Sequence, residues 1–423
     1  MTTAEAIGID RARPTVPVKP SFIGAFTLAQ IGAYVSFMPL IQVLLPLKAE
    51  AIDAGNKAVV LSQVAVLGAI TASFANLLAG AISDRTTSRF GRRRPWMVVG
   101  ALGTVASYFL IMMAQSTAHL MVGIVCFQLA FNMLFSALLA VLPDRVPDAQ
   151  KGRVAAFLSL GHPIGAMAGA ILVGGMLVSE ASRYFAIGVA LLVAIAPFAL
   201  GLNDPPLPRG ERSPFAWRNF LAGFWINPRA HPDFALAWVS RFMVLVAITL
   251  TQCYMLFYLQ DALHYSDLFP GRRAEQGMAL LTTVATCANV TCGMLGGMLS
   301  DRLRRRKLFA AGSALVLAGA MVVFSLVPGW PIVVVGFVIF GCAVGCYYAV
   351  DIALVSQVLP SQLNAGKDLG VINLANTLPQ AMAPILAMWV LGPAHVNYHA
   401  LYLVAAGLAA AGGLAILPIR GVR

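Results

Sequence analysis

The chain has 423 residues, of which 59% are hydrophobic and 11% are charged, and its formal net charge is +12. A soluble globule of this length cannot enclose so much apolar surface, so the composition excludes a soluble protein and predicts a membrane protein. The basic residues fall in short clusters between apolar runs, which argues against nucleic acid as a partner and is typical of membrane-protein loops.

A helix that crosses a bilayer needs about 20 apolar residues, and twelve stretches of the chain meet that length. We predict an all-α integral membrane protein with twelve transmembrane helices in two pseudo-symmetric six-helix halves. The predicted spans are 21-47, 57-83, 95-114, 118-142, 152-178, 182-202, 232-261, 274-301, 307-327, 331-358, 368-392 and 397-418. The predicted domains are a tail at 1-20, bundles at 21-202 and 232-418, a linker at 203-231 and a tail at 419-423.

Lys and Arg are concentrated in the loops on one side of these spans. Cytoplasmic loops retain positive charge, so we expect both termini in the cytoplasm of a bacterial-type inner (plasma) membrane. The proline-rich linker suits a cytoplasmic connection between the halves. Residues 1-20 carry Arg11, Arg13 and three prolines and do not match a cleaved signal peptide.

The chain contains a repeat that marks its two halves. Gly80 to Arg85 reads Gly-Ala-Ile-Ser-Asp-Arg, and Gly297 to Arg302 reads Gly-Met-Leu-Ser-Asp-Arg, so that Asp84 and Asp301 are 217 positions apart. A basic cluster and a further apolar run follow each copy. The repeat predicts a short charged turn between two membrane helices in each half.

The pattern from Gly80 to Arg94 resembles the loop 2-3 signature of the major facilitator superfamily. Ser83 to Pro95 and Ala365 to Gly370 are further similar to the glycoside-pentoside-hexuronide and sucrose-symporter-like groups. The resemblance implies a transporter with alternating access, in which the signature turn has a gating role. The residues implied in that role are Gly80, Asp84, Arg85, Arg89, Gly91, Arg92, Asp301 and Arg302.

The charges of the signature turn also have a physical interpretation. Asp84 lies at a helix end, where its carboxylate can meet the positive N-terminus of a neighbouring helix. For Arg93 and Arg94 we expect no more than a contribution to insertion topology.

Two ionisable residues stand out inside the predicted spans. Arg241 and Asp351 each lie about nine residues from the cytoplasmic end of a helix, which places both about 13 Å deep. Equal depth predicts a facing pair, and buried charges in a membrane commonly mark an ion pathway. Asp351 could release Arg241 on taking a proton; the alternative is a purely structural salt bridge between the two helices.

Polar side chains at helical spacing predict a cavity for a neutral, polyhydroxylated solute, because amides and phenols both donate and accept hydrogen bonds. Each residue could instead form a helix–helix hydrogen bond. His162, beside Pro163, is predicted to be a packing or kink position, with a proton relay as the alternative. The predicted cavity residues are Gln30, Tyr34, Gln128, Asn132, Tyr254, Tyr258, Tyr347, Asn373, Asn376 and Gln380.

The six cysteines lie in predicted spans without a metal-binding pattern, so we expect neither a metal site nor another cofactor. A proton is the expected coupling ion, because helices 2 and 4 present Asn76, Gln128 and Asn132 where sodium-coupled members of the resembled group have carboxylates. A sodium site is therefore doubtful. The expected partners are a small-molecule solute and membrane lipids, and we expect the protein to function as a monomer.

These observations predict a secondary active transporter that moves a sugar or glycoside by proton-coupled symport. One alternative is proton-driven export of amphipathic drug-like compounds, which the 17 methionines and 23 phenylalanines also permit. A pocket of mostly amides and phenols favours the first function, and a mostly apolar pocket favours the second. A non-transporting assembly factor or sensor is a third possibility. Enzymatic activity is not expected, since no nucleophile, base and acid set falls at a membrane surface.

Overall fold

The computed structural model describes residues 16-202, 204, 229-327, 329-357, 365-391 and 397-419. Within this part of the chain, twelve long helices follow one another, with a one-turn helix at Tyr265–Leu268. The long helices are α1 Pro20–Ile52, α2 Lys57–Asp84, α3 Arg94–Met112, α4 Thr117–Arg145, α5 Gln150–Met176, α6 Glu180–Gly201, α7 Pro232–Ala262, α8 Ala274–Leu303, α9 Arg306–Ser325, α10 Trp330–Gln357, α11 Ala365–Leu391 and α12 Tyr398–Ile416.

The helix ends follow local sequence signals. Ser116, Ser179 and Asn397 precede α4, α6 and α12, and each side-chain oxygen accepts a hydrogen bond from a backbone N–H three residues later. These caps satisfy donors that have no partner inside a helix. Pro20 and Pro232 begin α1 and α7, where a missing N–H costs nothing.

Eleven of these helices are long and apolar enough to cross a membrane, by length and composition, within the described residues. The other long helix, α11, has 27 residues and contains Pro379 and Pro384. Large apolar side chains such as Phe74, Phe185 and Trp389 are exposed on the outside of the bundle, as lipid contact requires. The prediction of an all-α membrane protein with about twelve spans is confirmed.

The two halves pack their helices in the same pattern. In the first half α1 packs on α5 and α6, and α4 packs on α2 and α3; in the second, α7 packs on α11 and α12, and α10 packs on α8 and α9. Adding six to each helix number converts one set of contacts into the other. Between the halves, α2 packs on α11 and α5 packs on α8, and the same operation relates these two contacts.

Three glycines let α5 approach α1 closely. An added Cβ would collide with Gln30 at Gly161, with Tyr34 at Gly165 and with Pro39 at Gly169. Small residues at four-residue spacing form one strip along a helix, so the backbones of α1 and α5 come together along it.

Both described termini lie at one end of the bundle. The Val18 N–H donates to Gln150 Oε1 (2.7 Å) at the start of α5, and Lys307 Nζ donates to the Ile419 carbonyl (2.8 Å) after α12. We call this the terminal end and the opposite one the distal end. The turn between α2 and α3 lies at the terminal end, and the turn between α1 and α2 at the distal end.

Candidate functional site

A cavity of about 720 Å³ lies between the two halves. Residues of α1, α2, α4 and α5 form one side, and residues of α7, α8, α10 and α11 form the other. None of the lining residues in the part of the chain described is Asp, Glu, Lys or Arg. Its polar contribution includes six carboxamides, from Gln42, Gln128, Gln252, Asn289, Asn376 and Gln380.

Five of the ten predicted cavity residues line this cavity: Tyr34, Gln128, Tyr254, Asn376 and Gln380. These five residues come from four helices, α1, α4, α7 and α11. The Tyr254 hydroxyl is also within 2.5 Å of Ser62 Oγ, which joins α7 to α2 across the halves. Asn373 lies among residues whose side chains the structure does not describe.

The structure places the other four predicted residues away from the cavity. Gln30 is buried against Gly161, and Asn132 Nδ2 donates to the Gln128 carbonyl (2.8 Å). The Tyr258 hydroxyl donates to the Phe324 carbonyl (3.1 Å), and Tyr347 is fully buried in the core. Tyr258 therefore makes a helix–helix hydrogen bond, the alternative that the sequence left open, as does Asn132, which accepts from Asn76 Nδ2 (3.3 Å) of α2. Gln30 and Tyr347 are buried in the packing between helices.

Sequence reasoning missed several lining residues, namely Gln42, Gln252, Asn289 and Tyr348. The signal that found the others, an amide or phenol inside an apolar span, was present at all four. His162 also lines the cavity rather than serving only as a packing or kink position. Its ring meets the Tyr34 ring edge-on, with centroids 5.0 Å apart.

Arg241 of α7 and Asp351 of α10 form a direct ion pair, as their equal depth suggested. Both are buried, with 8% and 3% of their surfaces exposed. Arg241 also donates through Nε (3.0 Å) and Nη2 (2.8 Å) to Asn376 Oδ1 on α11. The guanidinium therefore holds three helices of the second half together at one point.

Asn376 links this ion pair to the cavity. Its side chain is a lining residue, and its amide oxygen is the acceptor of both hydrogen bonds from Arg241. A solute that hydrogen-bonds to Asn376 competes with Arg241 for the amide oxygen or changes the orientation of the amide. The arrangement can therefore transmit solute binding to the Arg241–Asp351 pair through one side chain.

A network of charges at the distal end joins the two halves. Lys57 Nζ, at the start of α2, contacts Glu50 Oε1 (3.0 Å), Gln260 Oε1 (3.2 Å) and Asp261 Oδ1 (2.7 Å). Gln260 donates in turn to Glu50 Oε2 (2.9 Å), and Tyr398 donates to Asp261 Oδ2 (2.7 Å). Gln260 and Asp261 lie in a wider π-helical turn at the end of α7, a feature that often marks functional sites.

A second ion pair crosses between the halves at the same end. Arg183 Nη2 of α6 donates to Glu275 Oε1 (3.1 Å) of α8, and only 6% and 11% of these side chains are exposed. Arg273 Nη2 donates to the Leu177 carbonyl (3.2 Å), also across the halves. We call these contacts, with the Lys57 network, the distal gate. The Arg183–Glu275 pair is shielded enough to be little weakened by salt, so it joins the two halves at the distal end.

The signature turn at the terminal end is organised by Arg93. This residue is 5% exposed and donates to Ser83 Oγ (2.8 Å), Asp84 Oδ1 (2.5 Å) and Asp144 Oδ2 (2.9 Å). It ties the end of α2 to the end of α4, and Arg92 adds a second contact to Asp144 (2.5 Å). The expectation that Arg93 contributes only to topology is wrong.

Gly91 and Asp204 complete the turn. Gly91 has φ +101°, which favours glycine, and an added Cβ would collide with Asp204. The Asp204 carboxylate accepts backbone hydrogen bonds from Arg93 (2.6 Å) and Arg94 (2.9 Å). These bonds place a carboxylate at the N-terminus of α3, where the helix dipole favours it. Asp204, which follows α6 in the chain, is thereby held against the signature turn.

The remaining residues of the signature have simpler surroundings. Gly80 faces Ser136 of α4, where an added Cβ would lie 3.3 Å from Oγ. The Arg89 guanidinium lies over the Phe90 ring (4.7 Å), Arg85 is partly exposed and Arg302 is exposed. The Asp301 side chain is outside the described residues. The predicted role of these residues in gating stays a prediction.

Replacing Arg93 with alanine is expected to destabilise the protein by about 2 kcal/mol, because hydrogen bonds to charged groups are lost and two carboxylates lose their shared partner. Arg94→Ala is the matched control, since the Arg94 contact to Asp204 uses the backbone and survives the change. Thermal unfolding in detergent measures both variants. Equal melting temperatures for the two would contradict the central position of Arg93.

The described residues contain no group of three or more His, Cys, Asp or Glu side chains that could hold a metal ion. Cys292 and Cys342 do approach each other between α8 and α10, with their Sγ atoms 3.0 Å apart. Two thiols without a third ligand do not make a structural metal site of the usual kind.

Comparison with solved structures shows the same fold along nearly the whole chain. The nucleoside transporter NupG aligns with a TM-score of 0.71 at 12% identity over 94% of this chain and 98% of that one. A bacterial homolog of the human lysosomal transporter Spinster, in an inward-facing and unoccupied conformation, aligns with a TM-score of 0.69 at 15% identity over 95% and 99%. The human organic anion transporter MFSD10 (TETRAN) gives 0.62 at 16% identity over 94% and 100%.

Comparison with curated protein sequences gave no match. The family model for the Major Facilitator Superfamily, in contrast, matches residues 20–274 and 273–422. Its two matches meet at the boundary between α7 and α8 and together cover almost all of the sequence. With twelve long helices among the described residues, in two equivalent halves around a central cavity, the chain belongs to the major facilitator superfamily and is a multi-pass membrane transporter, not an enzyme.

Proposed function

We propose that this protein is a secondary active transporter that moves a small neutral solute, a sugar or glycoside, by proton-coupled symport. The observation that carries the proposal is the side chain of Asn376. It lines a cavity in which no described lining residue is charged, and it also accepts both hydrogen bonds from the guanidinium of a buried ion pair. Solute binding and the charge state of Asp351 therefore act on the same side chain.

The proposed coupling follows from the cost of the buried charges. While Asp351 is ionised, it holds Arg241 against α10, and separating two charges in a membrane interior is expensive. A proton on Asp351 removes one of the charges and frees the guanidinium to move. Solute at Asn376 changes the other contact of the same guanidinium, so that proton and solute together permit the halves to rearrange.

The sugar assignment rests on the polar part of the cavity lining. Six carboxamides and the phenols of Tyr34, Tyr254 and Tyr348 supply donors and acceptors without a net charge. An anion or a metal ion would find no compensating charge among the described lining residues. The similarity of the signature turn to glycoside-pentoside-hexuronide transporters supports the same solute class.

We assign the terminal end to the cytoplasm and the distal end to the outside of a bacterial-type inner membrane. The support is the excess of Lys and Arg in the loops of the terminal end, which follows the positive-inside rule. We further propose that the protein works as a monomer in contact with membrane lipids, because one chain supplies both sides of the cavity lining. The distal gate then closes the cavity from the outside.

A second candidate function is the export of amphipathic drug-like compounds by the same proton coupling. Its support is the apolar side of the cavity, which includes Phe37, Met38, Ile41, Leu45 and Leu61. Apolar residues outnumber polar ones in the lining, and this was the feature expected of an exporter. The two functions share the coupling pair and differ in solute and direction.

The test is pH-driven uptake in liposomes that contain the purified protein. A panel of labelled mono- and disaccharides is offered with the lumen more alkaline than the medium. We expect at least one sugar to accumulate and to leave again when a protonophore collapses the gradient. If no sugar accumulates while an amphipathic cation is extruded, in exchange for entering protons, from vesicles with the same alkaline lumen, the symport proposal is overturned in favour of export.

A further inference from the structure

The cavity lining differs in composition between the two halves of the protein, and four of its six carboxamides lie on the second half. On the first half, α1 and α2 present mainly apolar side chains: Phe37, Met38, Ile41, Leu45, Leu61 and Ala65. On the second half, α7, α8 and α11 present four carboxamides among apolar side chains such as Ile248 and Met294; the carboxamides are Gln252, Asn289, Asn376 and Gln380. We call the first set the apolar wall and the second set the amide wall. A solute in the cavity therefore meets two different chemical surfaces.

The apolar wall is supported from behind by aromatic rings of α4. The Phe37 ring packs on the Phe131 ring at a centroid distance of 4.8 Å and on Phe127 at 5.9 Å. Phe131 stacks in turn on Phe127 (5.5 Å) and on Phe135 (5.4 Å). Close packing of this kind leaves the side chains of the apolar wall little room to rearrange when a solute binds. The apolar wall is thus a preformed surface.

An unsubstituted sugar does not complement such a wall. It carries hydroxyl groups around its whole edge, and each hydroxyl placed against the apolar wall loses hydrogen bonds to water without gaining a partner. The cavity volume of about 720 Å³ also lies in the range of about 300–1,000 Å³ that pockets for drug-sized ligands have. A single hexose is smaller than such ligands and would leave much of the apolar wall against water.

We propose that the preferred solute is a neutral glycoside with an aromatic or other apolar aglycone. Its sugar hydroxyls bind the amide wall, and its aglycone packs on the apolar wall beside Phe37 and Ile41. This inference rests on the proposed function and specifies its solute. It also explains why one cavity contains both the carboxamides expected of a sugar site and the apolar surface expected of an exporter.

The test measures how strongly matched pairs of unlabelled compounds compete with the uptake of a labelled sugar into the liposomes. Glucose, galactose and xylose are each compared with their phenyl β-glycosides, and phenol serves as a control for the aromatic ring alone. We expect at least one phenyl glycoside to bind about tenfold or more tightly than its parent sugar, as burial of an apolar ring predicts. Phenol alone should compete poorly, because it lacks the groups that bind the amide wall.

Two variants should move the ratio of phenyl glycoside to parent-sugar affinity in opposite directions. Ile41→Asn puts an amide on the apolar wall and should lower the ratio. Gln380→Leu removes one of the amides proposed to bind the sugar and should raise the ratio. Ile41→Val keeps the wall apolar and is the control for Ile41→Asn. Protein yield and melting temperature identify any variant that fails to fold.

Each outcome bears on a different claim. Parent sugars that bind as tightly as their phenyl glycosides overturn this inference and leave sugar symport standing. Phenol that competes as well as the glycosides also overturns it, in favour of an apolar solute. No binding and no uptake by any pair overturns the proposed function, and this inference with it.

Discussion

Asp351→Asn is expected to abolish accumulation of solute against its gradient while exchange of solute across the membrane continues. Asparagine resembles a permanently protonated aspartate, so the site can no longer take up and release a proton. Arg241 keeps its two hydrogen bonds to Asn376, and the cavity keeps its lining. The measurement is pH-driven uptake beside counterflow exchange in the same liposomes, with wild type as the reference.

The same substitution leaves Arg241 buried without its carboxylate, which by itself can destabilise a protein by about 3–5 kcal/mol. The double variant Arg241→Gln, Asp351→Asn removes both charges and separates stability from coupling. If the pair couples a proton, the double variant recovers its melting temperature but not uphill uptake. A double variant that also accumulates solute would show that the pair is only structural, as would unchanged uphill uptake in Asp351→Asn.

Lys57→Met is expected to open the distal end of the cavity. Lys57 is 12% exposed and makes three contacts, two of them to Gln260 and Asp261 of the other half. Without the ammonium group, Glu50 and Asp261 face each other without a counter-charge, and their repulsion favours the separated state. Opening by about tenfold needs only about 1.4 kcal/mol of lost closing energy.

Cys253 provides the readout, because it lines the cavity and is present in the natural sequence. Its labelling by a membrane-impermeant maleimide, measured by peptide mass spectrometry in right-side-out vesicles, should rise about tenfold in Lys57→Met. Lys57→Glu combined with Asp261→Lys restores opposite charges across the halves and should return labelling toward the wild-type rate.

Lys48→Met is the matched control for the gate. Lys48 also pairs with a carboxylate at the distal end, Glu180 (2.9 Å), but both residues belong to the first half. Breaking this pair removes a similar contact without separating the halves, so labelling of Cys253 should stay near wild type. Equal labelling in Lys48→Met and Lys57→Met would rule out a gate specific to the Lys57 network.

The membrane fold was predictable from sequence because it depends on segment length and apolar content, both of which are local properties. The repeat around Asp84 and Asp301 also showed the two halves, because the turn sequence is a local property that recurs at a fixed offset. Arg241 and Asp351 could be paired from depth alone, because buried charges in a membrane need a partner and few were available.

Which polar residues face the cavity was decided only by the tertiary structure. Gln30 and Gln42 lie on the same helix with similar neighbours in sequence, yet the close approach of α5 at Gly161 buries the first, while the second lines the cavity. Sequence periodicity marks a face of a helix but not what covers it. Arg93 was likewise underestimated, because its partners Asp84 and Asp144 come from different helix ends.

The sequence by itself determined the class of protein, the number of spans, the repeat and the buried charge pair, since hydrophobicity and the cost of intramembrane charge act on each segment wherever it packs. The tertiary structure decided the apolar wall, the amide wall and the distal gate. The contacts of the distal gate join side chains of the two halves, and only the packing of one half against the other sets the apolar wall opposite the amide wall.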